Sequence, residues 1–517
     1  MKERIRPGDG LARGEIALFA LCTAAYLVLC GIINFRGFEI FATPDMYSDT
    51  LIAKLMWEQK MLFPEGWVFG NQFYVLATPN LAALFYGLTG SLNLSMALAT
   101  ETMTALILIA LVWMLRPFCS ARVIAAGVLA IFAVVVCPSA PDHLSGQLFY
   151  LMASYYACYL IHVLLLCGVY LRLLADKTRR VFTPSAVLAL VLTAAMGMQS
   201  IRQTAVAVLP LVCVEILLRI LRRSDRRTTA FAALVFAANA LGLVLIRLIG
   251  ADNVSIYGGL TGTESSLLEN LKEDLLSFMG VTGLRSYQYG ELALCFYGLA
   301  LIAAVCALPF FARRNPLFIA AGICALGVAA ALGANIVVDL ELRSIYLFTW
   351  FPLAAIAVAL LVEKLGAAKP HWRAAGSLAF CALAIFNLLA CYQPPAQRSL
   401  NDPDSIEERQ LADFISENGY DYIYAQWYFG SRIAVRTDGA AVAGTWHDAP
   451  LEVLGYINPQ NIYSEADNER AVYVVTADER PAFFERAEDL GAELTQVAKA
   501  GQLEAFESSK QLMYLPS

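Results

Sequence analysis

Charged side chains are scarce in this sequence. Asp, Glu, Lys and Arg make up only 15% of its 517 residues, whereas hydrophobic residues make up 59%. A soluble domain of this size carries far more charge, so the composition excludes an ordinary soluble protein. The apolar runs approach the ~20 residues with which a helix crosses a bilayer, which favours an α-helical polytopic membrane protein.

Motifs of several other protein classes are also missing. The twelve cysteines all lie between Cys22 and Cys391 and show no CxxC spacing, so they indicate neither a disulfide framework nor a thiolate metal site. The C-terminal part contains no glycine-rich phosphate loop, no nucleophile elbow and no basic patch for nucleic acid. The sequence therefore predicts no nucleic-acid partner and no metal site of regular ligand spacing.

The apolar runs predict about eleven transmembrane helices. More than half of the 37 basic residues fall on the short loops that this count places inside. We expect a multi-pass protein of the plasma membrane, and the positive-inside rule orients it with its N-terminus inside and its C-terminal domain outside. The predicted spans are 15–35, 95–115, 122–138, 148–171, 183–200, 204–220, 228–248, 291–311, 316–336, 345–362 and 374–391.

One apolar run does not fit the alternation of inside and outside loops that these spans give. The segment Phe73–Gly90 has nearly the length of a span, but counting it would place the basic residues Arg172–Arg180 outside. It also contains Pro79 and Asn80. We interpret it as a re-entrant or interfacial helix, which a membrane protein tolerates where protein or a cavity covers the backbone. A full span with a compensating error elsewhere is the alternative.

The sequence divides into two predicted domains. Residues 1–391 form a transmembrane domain with a long first outer loop at 36–94. Residues 392–517 form a small extracytoplasmic α/β domain, because helical and β-rich stretches alternate there. The predicted helices are Ser405–Asn418 and Arg480–Leu490, and the predicted strands include Tyr420–Ala425, Arg432–Val435 and Ala471–Thr476.

The first outer loop carries the polar stretch Pro44–Asn80, with the two carboxylates Asp45 and Asp49. The pattern after Asp49 predicts a short amphipathic helix over Thr50–Lys60, lying in the membrane interface with Asp49 near its N-terminal end. Two roles are open for Asp49. It is either a general base that takes the proton of a substrate hydroxyl, or only a cap of the helix.

Other polar residues gather at the predicted outer ends of spans. Arginines suit the phosphate of a lipid-linked sugar because a guanidinium stays charged and binds phosphate oxygens bidentately. A structural alternative is that such arginines only extend to the lipid headgroups. The candidates are Arg202 and Arg343 for the donor phosphate, and Asp45, Gln203, Tyr346, Asp142 and His143 for substrate binding.

Several of these stretches resemble a known family. The run through Ser48-Asp49 and Leu62–Trp67 resembles the first outer loop of bacterial GT-C superfamily proteins, where a Ser-Asp pair leads into an amphipathic helix. Gly197–Pro210 is similar to the Gly…Arg-Gln…Pro segment of that family. Glu341–Pro352 is similar to its Arg…Tyr…Pro segment, with wider spacing. The tail also resembles the outer domain that ends many such chains.

The resemblance implies a GT-C-like fold and a membrane glycosyltransferase. Such an enzyme lies in the lipid bilayer. It takes a hexose or pentose from a polyprenyl-phosphate carrier and places it on a glycan, lipid or protein acceptor. The catalytic Asp of the family maps to Asp49. Apart from the resemblance, no residue is assigned as a metal ligand: Asp45, Asp49 and Asp142 could hold a divalent cation (Mg²⁺ or Mn²⁺), but these acids have no ligand-spacing signature.

Two other functions compete with this one. A transporter or flippase of lipid-linked saccharide would need polar residues along a path through the membrane, and Glu101 and Glu215 are the obvious acids within predicted spans. A non-catalytic membrane platform would instead bind a wall polymer or a partner protein through its tail. Loss of glycan transfer in Asp49→Asn distinguishes the enzyme from both.

Overall fold

Helices dominate the computed structural model of this chain, which confirms the predicted α-helical fold class. The structure describes residues 44–70, 72–121, 123–128, 153–249, 267–285, 292–338, 344–369, 403–446, 450–454, 458–459, 462–463 and 469–513, with single positions in 17–28 and 371–382. The helices are α1 Pro44–Gln59, α2 Thr78–Thr89, α3 Leu92–Leu115, α4 Ala153–Ala175, α5 Pro184–Gln199, α6 Leu209–Ile220, α7 Arg226–Ile249, α8 Leu267–Val281, α9 Leu292–Phe311, α10 Leu317–Val338, α11 Trp350–Ala368, α12 Pro403–Asn418, α13 Trp427–Arg436 and α14 Arg480–Asp489.

Four helices in the described part of the chain are long and apolar enough to cross a membrane. Two further apolar helices are shorter, Pro184–Gln199 and Cys295–Phe311. The eleven predicted crossings and their orientation stay predictions. The four long segments are Leu92–Leu115, Tyr156–Ala175, Arg226–Ile249 and Leu317–Ala334.

The chain forms two compact units. The first comprises Met1–Ile32, Glu101–Ile249 and Leu260–Pro394. The second comprises Ile33–Thr100, Gly250–Gly259 and Pro395–Ser517. The second unit thus joins the first predicted outer loop to the C-terminal segment, a grouping that the order of residues along the chain does not show.

Close helix packing organises the first unit. A Cβ atom at Gly242 of α7 would overlap the carbonyl oxygen of Ala194 in α5, and one at Gly197 would overlap that of Asn239. Helices in membranes pack through small residues because lipid provides little hydrophobic drive for larger ones to associate. The glycines therefore set the distance between α5 and α7.

A π-helical turn, Thr204–Val208, leads into α6. Pro210 in the first turn of α6 explains it, since proline has no N–H to donate to the carbonyl of Val206. Gly327 of α10 lies against that carbonyl, and a Cβ there would come within 2.5 Å of the oxygen. Single π-helical turns occur frequently at functional sites.

A five-stranded mixed sheet forms the centre of the second unit. Its order is β3-β2-β5-β7-β6, with β2 parallel to both β3 and β5, and β7 antiparallel to β5 and β6. A separate two-residue pair joins β1 of the first loop to β4 of the tail. The strands are β1 Trp67–Val68, β2 Tyr422–Gln426, β3 Val442–Trp446, β4 Asn458–Pro459, β5 Ala471–Thr476, β6 Leu494–Ala500 and β7 Leu503–Ser508.

The predicted strand at Arg432–Val435 is wrong, because these residues belong to helix α13. The connection between β2 and β3 explains the difference. Adjacent parallel strands cannot be joined by a tight hairpin and need a crossover, which α13 supplies. The other predicted tail elements correspond to α12, β2, β5 and α14 within two residues at each end.

The first loop also differs from its prediction. Helix α1 begins at Pro44, well before the predicted start at Thr50, and it is enclosed by protein over most of Met46–Ala53. It is therefore not an amphipathic helix with one open face. Helix α2 has 12 residues, about 18 Å at ~1.5 Å per residue, too short for a bilayer core of ~30 Å. This length favours the re-entrant or interfacial interpretation over a full span.

Candidate active site

Asp49 is the sixth residue of α1 and is completely buried. Its position inside the helix excludes the structural alternative in which it caps the N-terminus. Asp45 lies one helical turn earlier and is half-buried. Asp49 therefore has no exposed surface in this conformation of the chain.

A group of buried charges stands beside the first turn of α1. Both Arg432 and Arg436 of α13 contact one carboxylate oxygen of Glu408, with N–O distances of 3.2 and 3.0 Å. Burial by itself lowers the pKa of the Arg432 guanidinium, but neighbouring Tyr47, Glu408 and Tyr428 outweigh it and raise that pKa above its ordinary value. Arg432 is therefore a permanent buried cation.

In the first unit, Arg202 lies just after α5 ends, where Ser200 is extended and breaks the helix. The helix thus ends within one residue of the end of the predicted span 183–200. The guanidinium donates to the hydroxyl of Tyr156 and lies over the ring of Tyr346, 4.2 Å from its centroid. The rings of Tyr156 and Tyr346 are 6.1 Å apart. Arg202 is half-buried, so two aromatic rings hold a cation that the protein does not fully enclose.

Gln203 begins a chain of buried hydrogen bonds that extends away from Arg202. Its Nε2 donates to the carbonyl of Tyr159 at 3.2 Å and to Nδ1 of His162 at 2.7 Å. His162 Nδ1 therefore accepts, and Nε2–H donates to Thr193 Oγ1 at 2.7 Å, which donates to the carbonyl of Ala189. Assigned in this way, the chain links α4, α5 and the turn that carries Arg202.

The structure brings three of the predicted site residues together, Arg202, Gln203 and Tyr346, all in the first unit. Asp45 and Asp49 share one face of α1 in the second unit, since residues four apart in a helix are neighbours. Asp142, His143 and Arg343 lie outside the described residues. The roles of all eight residues stay predictions.

Sequence reasoning missed the residues that hold Arg202 in place. Tyr156, Tyr159 and Phe348 form an aromatic cluster with ring centroids 5.7 to 6.2 Å apart. Tyrosines at the ends of apolar runs are common at membrane interfaces, so no local signal distinguishes them. His162 had a usable signal, because an ionisable residue inside an apolar run marks a functional or structural site.

Glu215, one of the two acids suggested for a transport path, is engaged in hydrogen bonds. Its two carboxylate oxygens accept from the Tyr170 hydroxyl at 2.5 Å and from the Thr229 hydroxyl at 2.6 Å. These bonds join α4, α6 and α7. The arrangement gives Glu215 a structural role within the first unit.

Among the described residues, no group of three or more His, Cys, Asp and Glu side chains is placed to hold a metal ion. Asp142, the third acid of the proposed cation site, is outside that part of the chain. The pair Asp45 and Asp49 by itself supplies two carboxylates on one helix face.

The fold is shared with solved membrane glycosyltransferases. ArnT from Cupriavidus metallidurans bound to undecaprenyl phosphate is similar over 98% of this chain and 100% of that chain, with a TM-score of 0.59 and 13% identity. ArnT in the apo state matches over 98% and 99%, with a TM-score of 0.50 and 14% identity. The chain has the GT-C fold.

A second type of enzyme with the GT-C fold is also similar. The Archaeoglobus fulgidus oligosaccharyltransferase, in complex with Zn and sulfate, matches 87% of this chain and 64% of that chain, with a TM-score of 0.54 and 13% identity. No family model matches the sequence, and no curated protein sequence matches it significantly. At these identities the GT-C fold is what the comparisons establish, and the reaction is a separate question.

Proposed function

We propose that this chain is a membrane glycosyltransferase that moves a sugar from a polyprenyl-phosphate donor to a hydroxyl of a glycan, lipid or protein acceptor at the outer face of the membrane. The observation that carries the proposal is the held cation Arg202, between Tyr156 and Tyr346, in a chain with the GT-C fold. ArnT, which shares this fold, was solved with undecaprenyl phosphate.

In the proposed reaction, the bond between the sugar C1 and the phosphate oxygen breaks, and its electron pair leaves on the lipid phosphate. Arg202 neutralises the charge that develops there, and Arg343 is the second cation proposed for this role. A guanidinium suits the task because it binds two phosphate oxygens at once and does not lose its proton.

Asp49 is the proposed general base. It accepts the proton of the acceptor hydroxyl as that oxygen forms a bond to C1 on the face opposite the leaving phosphate. The configuration at C1 is therefore inverted. Gln203, Tyr346, Asp45, Asp142 and His143 are proposed to contact the substrates around these reacting groups.

The test is donor cleavage by the full-length chain purified in detergent. A panel of undecaprenyl-phosphate-linked hexoses and pentoses is incubated with the protein and a cell-envelope acceptor extract, and released undecaprenyl phosphate is quantified. This product is the same for every sugar and acceptor. We expect Asp49→Asn to lower turnover by about 10²- to 10⁴-fold, the usual contribution of a general base.

The matched measurement is binding of undecaprenyl phosphate to the same variant. Asp49→Asn should bind it as the wild type does, because Asp49 acts on the acceptor. Wild-type protein that neither binds undecaprenyl phosphate nor releases it from any donor would contradict the proposed function. Full turnover by Asp49→Asn would contradict only the role of Asp49.

A divalent cation remains part of the proposal. Asp45 and Asp49 stand one turn apart, and carboxylate oxygens are the ligands that Mg²⁺ and Mn²⁺ prefer. The cation would offset the repulsion of two neighbouring carboxylates. Treatment with a chelator, followed by titration with Mg²⁺ or Mn²⁺, tests whether turnover depends on it.

A further inference from the structure

The helix that carries Asp49 is held by residues from the far end of the chain. Ser48, next to Asp49, is completely buried, and its hydroxyl accepts from the indole N–H of Trp427 at 3.3 Å. The same hydroxyl is hydrogen-bonded to the hydroxyl of Ser431 at 3.3 Å. Trp427 and Ser431 are four residues apart and occupy one face of α13.

Two further contacts hold α1 on either side of Ser48. The Arg432 guanidinium lies 5.7 Å from the ring centroid of Tyr47, and the buried carboxylate of Glu408 fixes it from the other side. After Asp49, the Lys54 ammonium donates to the carbonyl of Gly439, in the turn that follows α13. The contacts to α13 and its turn therefore flank Asp49 from Tyr47 to Lys54.

The turn after α13 packs closely against Lys54 of α1. Gly439 has a φ of +73°, which a residue with a side chain rarely adopts, and a Cβ there would press on Lys54 and Leu92 at 3.0 Å. The preceding Asp438 carboxylate accepts from the N–H of Leu92 at 2.7 Å, so it caps the start of α3. One turn thus contacts both α1 and the helix that follows α2.

Hydrophobic packing supports the same contact. Leu51 of α1 packs against the core cluster on one face of the C-terminal sheet, which includes Ile433 and Ala434 of α13. A side chain from the first loop is thus part of the core of the tail. Because cores are close-packed, a displacement of α13 would be transmitted to α1.

We infer that α13 is a positioning element for Asp49, with Trp427 and Ser431 setting the location of the carboxylate through Ser48. This inference rests on the proposed function, in which Asp49 is the base. The C-terminal segment is then a structural part of the active site, and its contribution to the reaction is made without touching the substrate.

The test uses the full-length chain with Ser431→Ala, Trp427→Phe and the double variant. Hydrogen–deuterium exchange of the peptides covering Pro44–Gln59 should become about fivefold faster for each hydrogen bond removed. A change of this size corresponds to the usual net free energy that one such bond contributes to stability. Turnover should fall about fivefold to tenfold, whereas the KM for the undecaprenyl-phosphate donor should not change. A loss of folded protein alone would not slow turnover per folded molecule.

The matched control is Trp446→Phe. It removes another indole hydrogen bond in the same unit, from Trp446 Nε1 to Glu479 at 2.8 Å, and Trp446 belongs to a different hydrophobic cluster from Ile433 and Ala434 of α13. It should lower the unfolding temperature but leave the exchange of α1 and the turnover per folded molecule unchanged. If the double variant does not fold, Ser431→Ala alone decides the question.

Two results would overturn the inference. Unchanged exchange in α1 would show that α13 does not hold it, and wild-type turnover despite faster exchange would show that holding it does not position Asp49. If Asp49→Asn retains full turnover, the role of Asp49 as base fails instead, and the positioning role fails with it. An inactive Asp49→Asn beside a fully active double variant refutes only the positioning role.

Discussion

Arg202 in the first unit and Asp49 in the second unit are held in place differently. Arg202 is fixed within the helical first unit by Tyr156, Tyr346 and the hydrogen-bond chain that begins at Gln203. Asp49 lies on a helix that packs on α2 and also on the sheet-containing tail, where Ser431 is 383 residues from Ser48. The cation therefore depends on helix packing, and the carboxylate depends on a part of the chain with its own hydrophobic core.

Because Arg202 and Asp49 are held differently, a substitution should affect one of them and not the other. A substitution in the C-terminal core should reach Asp49 and leave Arg202 in place, whereas one between α5 and α7 should act in the first unit. Donor binding and turnover can then be lost independently. The following substitutions test that separation, beginning with the largest expected effect.

Glu408→Gln should cause the largest loss of stability in the second unit. It leaves the buried guanidinium groups of Arg432 and Arg436 without their shared counter-charge, and breaking a buried ion pair in this way costs about 3–5 kcal/mol. Thermal unfolding of the full-length chain measures the loss. Exchange of α1 should become faster, and exchange of α4 should stay as in the wild type.

Glu504→Gln is the matched control for that substitution. Glu504 is also buried, but its partners Arg480 and Lys499 have side chains that are 48% and 58% exposed. Water can solvate these cations when the carboxylate charge is removed, so we expect a loss of about 1 kcal/mol or less. Equal losses in both variants would show that the buried arginine pair has no special importance.

The sequence allowed part of this site to be predicted, for identifiable reasons. Arg202, Gln203 and Tyr346 stand at the ends of apolar runs, where a polar residue is conspicuous, and the structure places them together. Pro44 was an available signal for the start of α1, because proline is favoured at the first helical position, but the prediction began the helix at Thr50.

Other features could not be predicted from local patterns. The run Arg432–Val435 has the composition of a strand, and only the parallel pairing of β2 with β3 explains its helical structure. The contact between Ser48 and Ser431 depends on the complete fold of the tail. Tertiary structure of this kind overrides local propensity and leaves no trace in either segment alone.

Arg202→Gln should weaken the binding of undecaprenyl phosphate by about tenfold to a hundredfold, because a hydrogen bond to a charged group contributes about 1.5–3 kcal/mol. Arg202→Lys keeps the charge but not the planar fork of the guanidinium, so its affinity for the lipid should lie between those of the wild type and Arg202→Gln. Titration of the detergent-solubilised protein with the lipid measures the change. Exchange of α1 should be unaffected, since Arg202 belongs to the first unit.

Unaltered lipid binding by Arg202→Gln would contradict the donor-phosphate role. If Arg202→Lys binds as weakly as Arg202→Gln, the two-oxygen geometry of the guanidinium decides affinity rather than its charge. Either result leaves the role of Asp49 open, because Asp49→Asn is measured on turnover.

Gly242→Ala should destabilise the first unit by about 1–3 kcal/mol, the usual cost of overpacking a well-packed core. The added methyl group would overlap the backbone of Ala194, so α5 and α7 must separate. Gly322→Ala is the matched control, since a Cβ there meets no atom within 4 Å and alanine favours the helical state. Thermal unfolding should show a loss for the first variant and no loss for the second.

Tyr346→Leu should have the smallest effect, a roughly twofold to fivefold weaker binding of undecaprenyl phosphate. The loss corresponds to the ~0.5–1 kcal/mol of a cation–π contact at a partly exposed site, because the ring of Tyr346 lies 4.2 Å from the Arg202 guanidinium. Tyr346→Phe keeps the ring and should bind the lipid as the wild type does. If Phe and Leu weaken binding equally, the hydroxyl of Tyr346 acts on the substrate directly, and the ring does not hold Arg202. In that case the contacts that hold Arg202 are those with Tyr156 and the turn after α5.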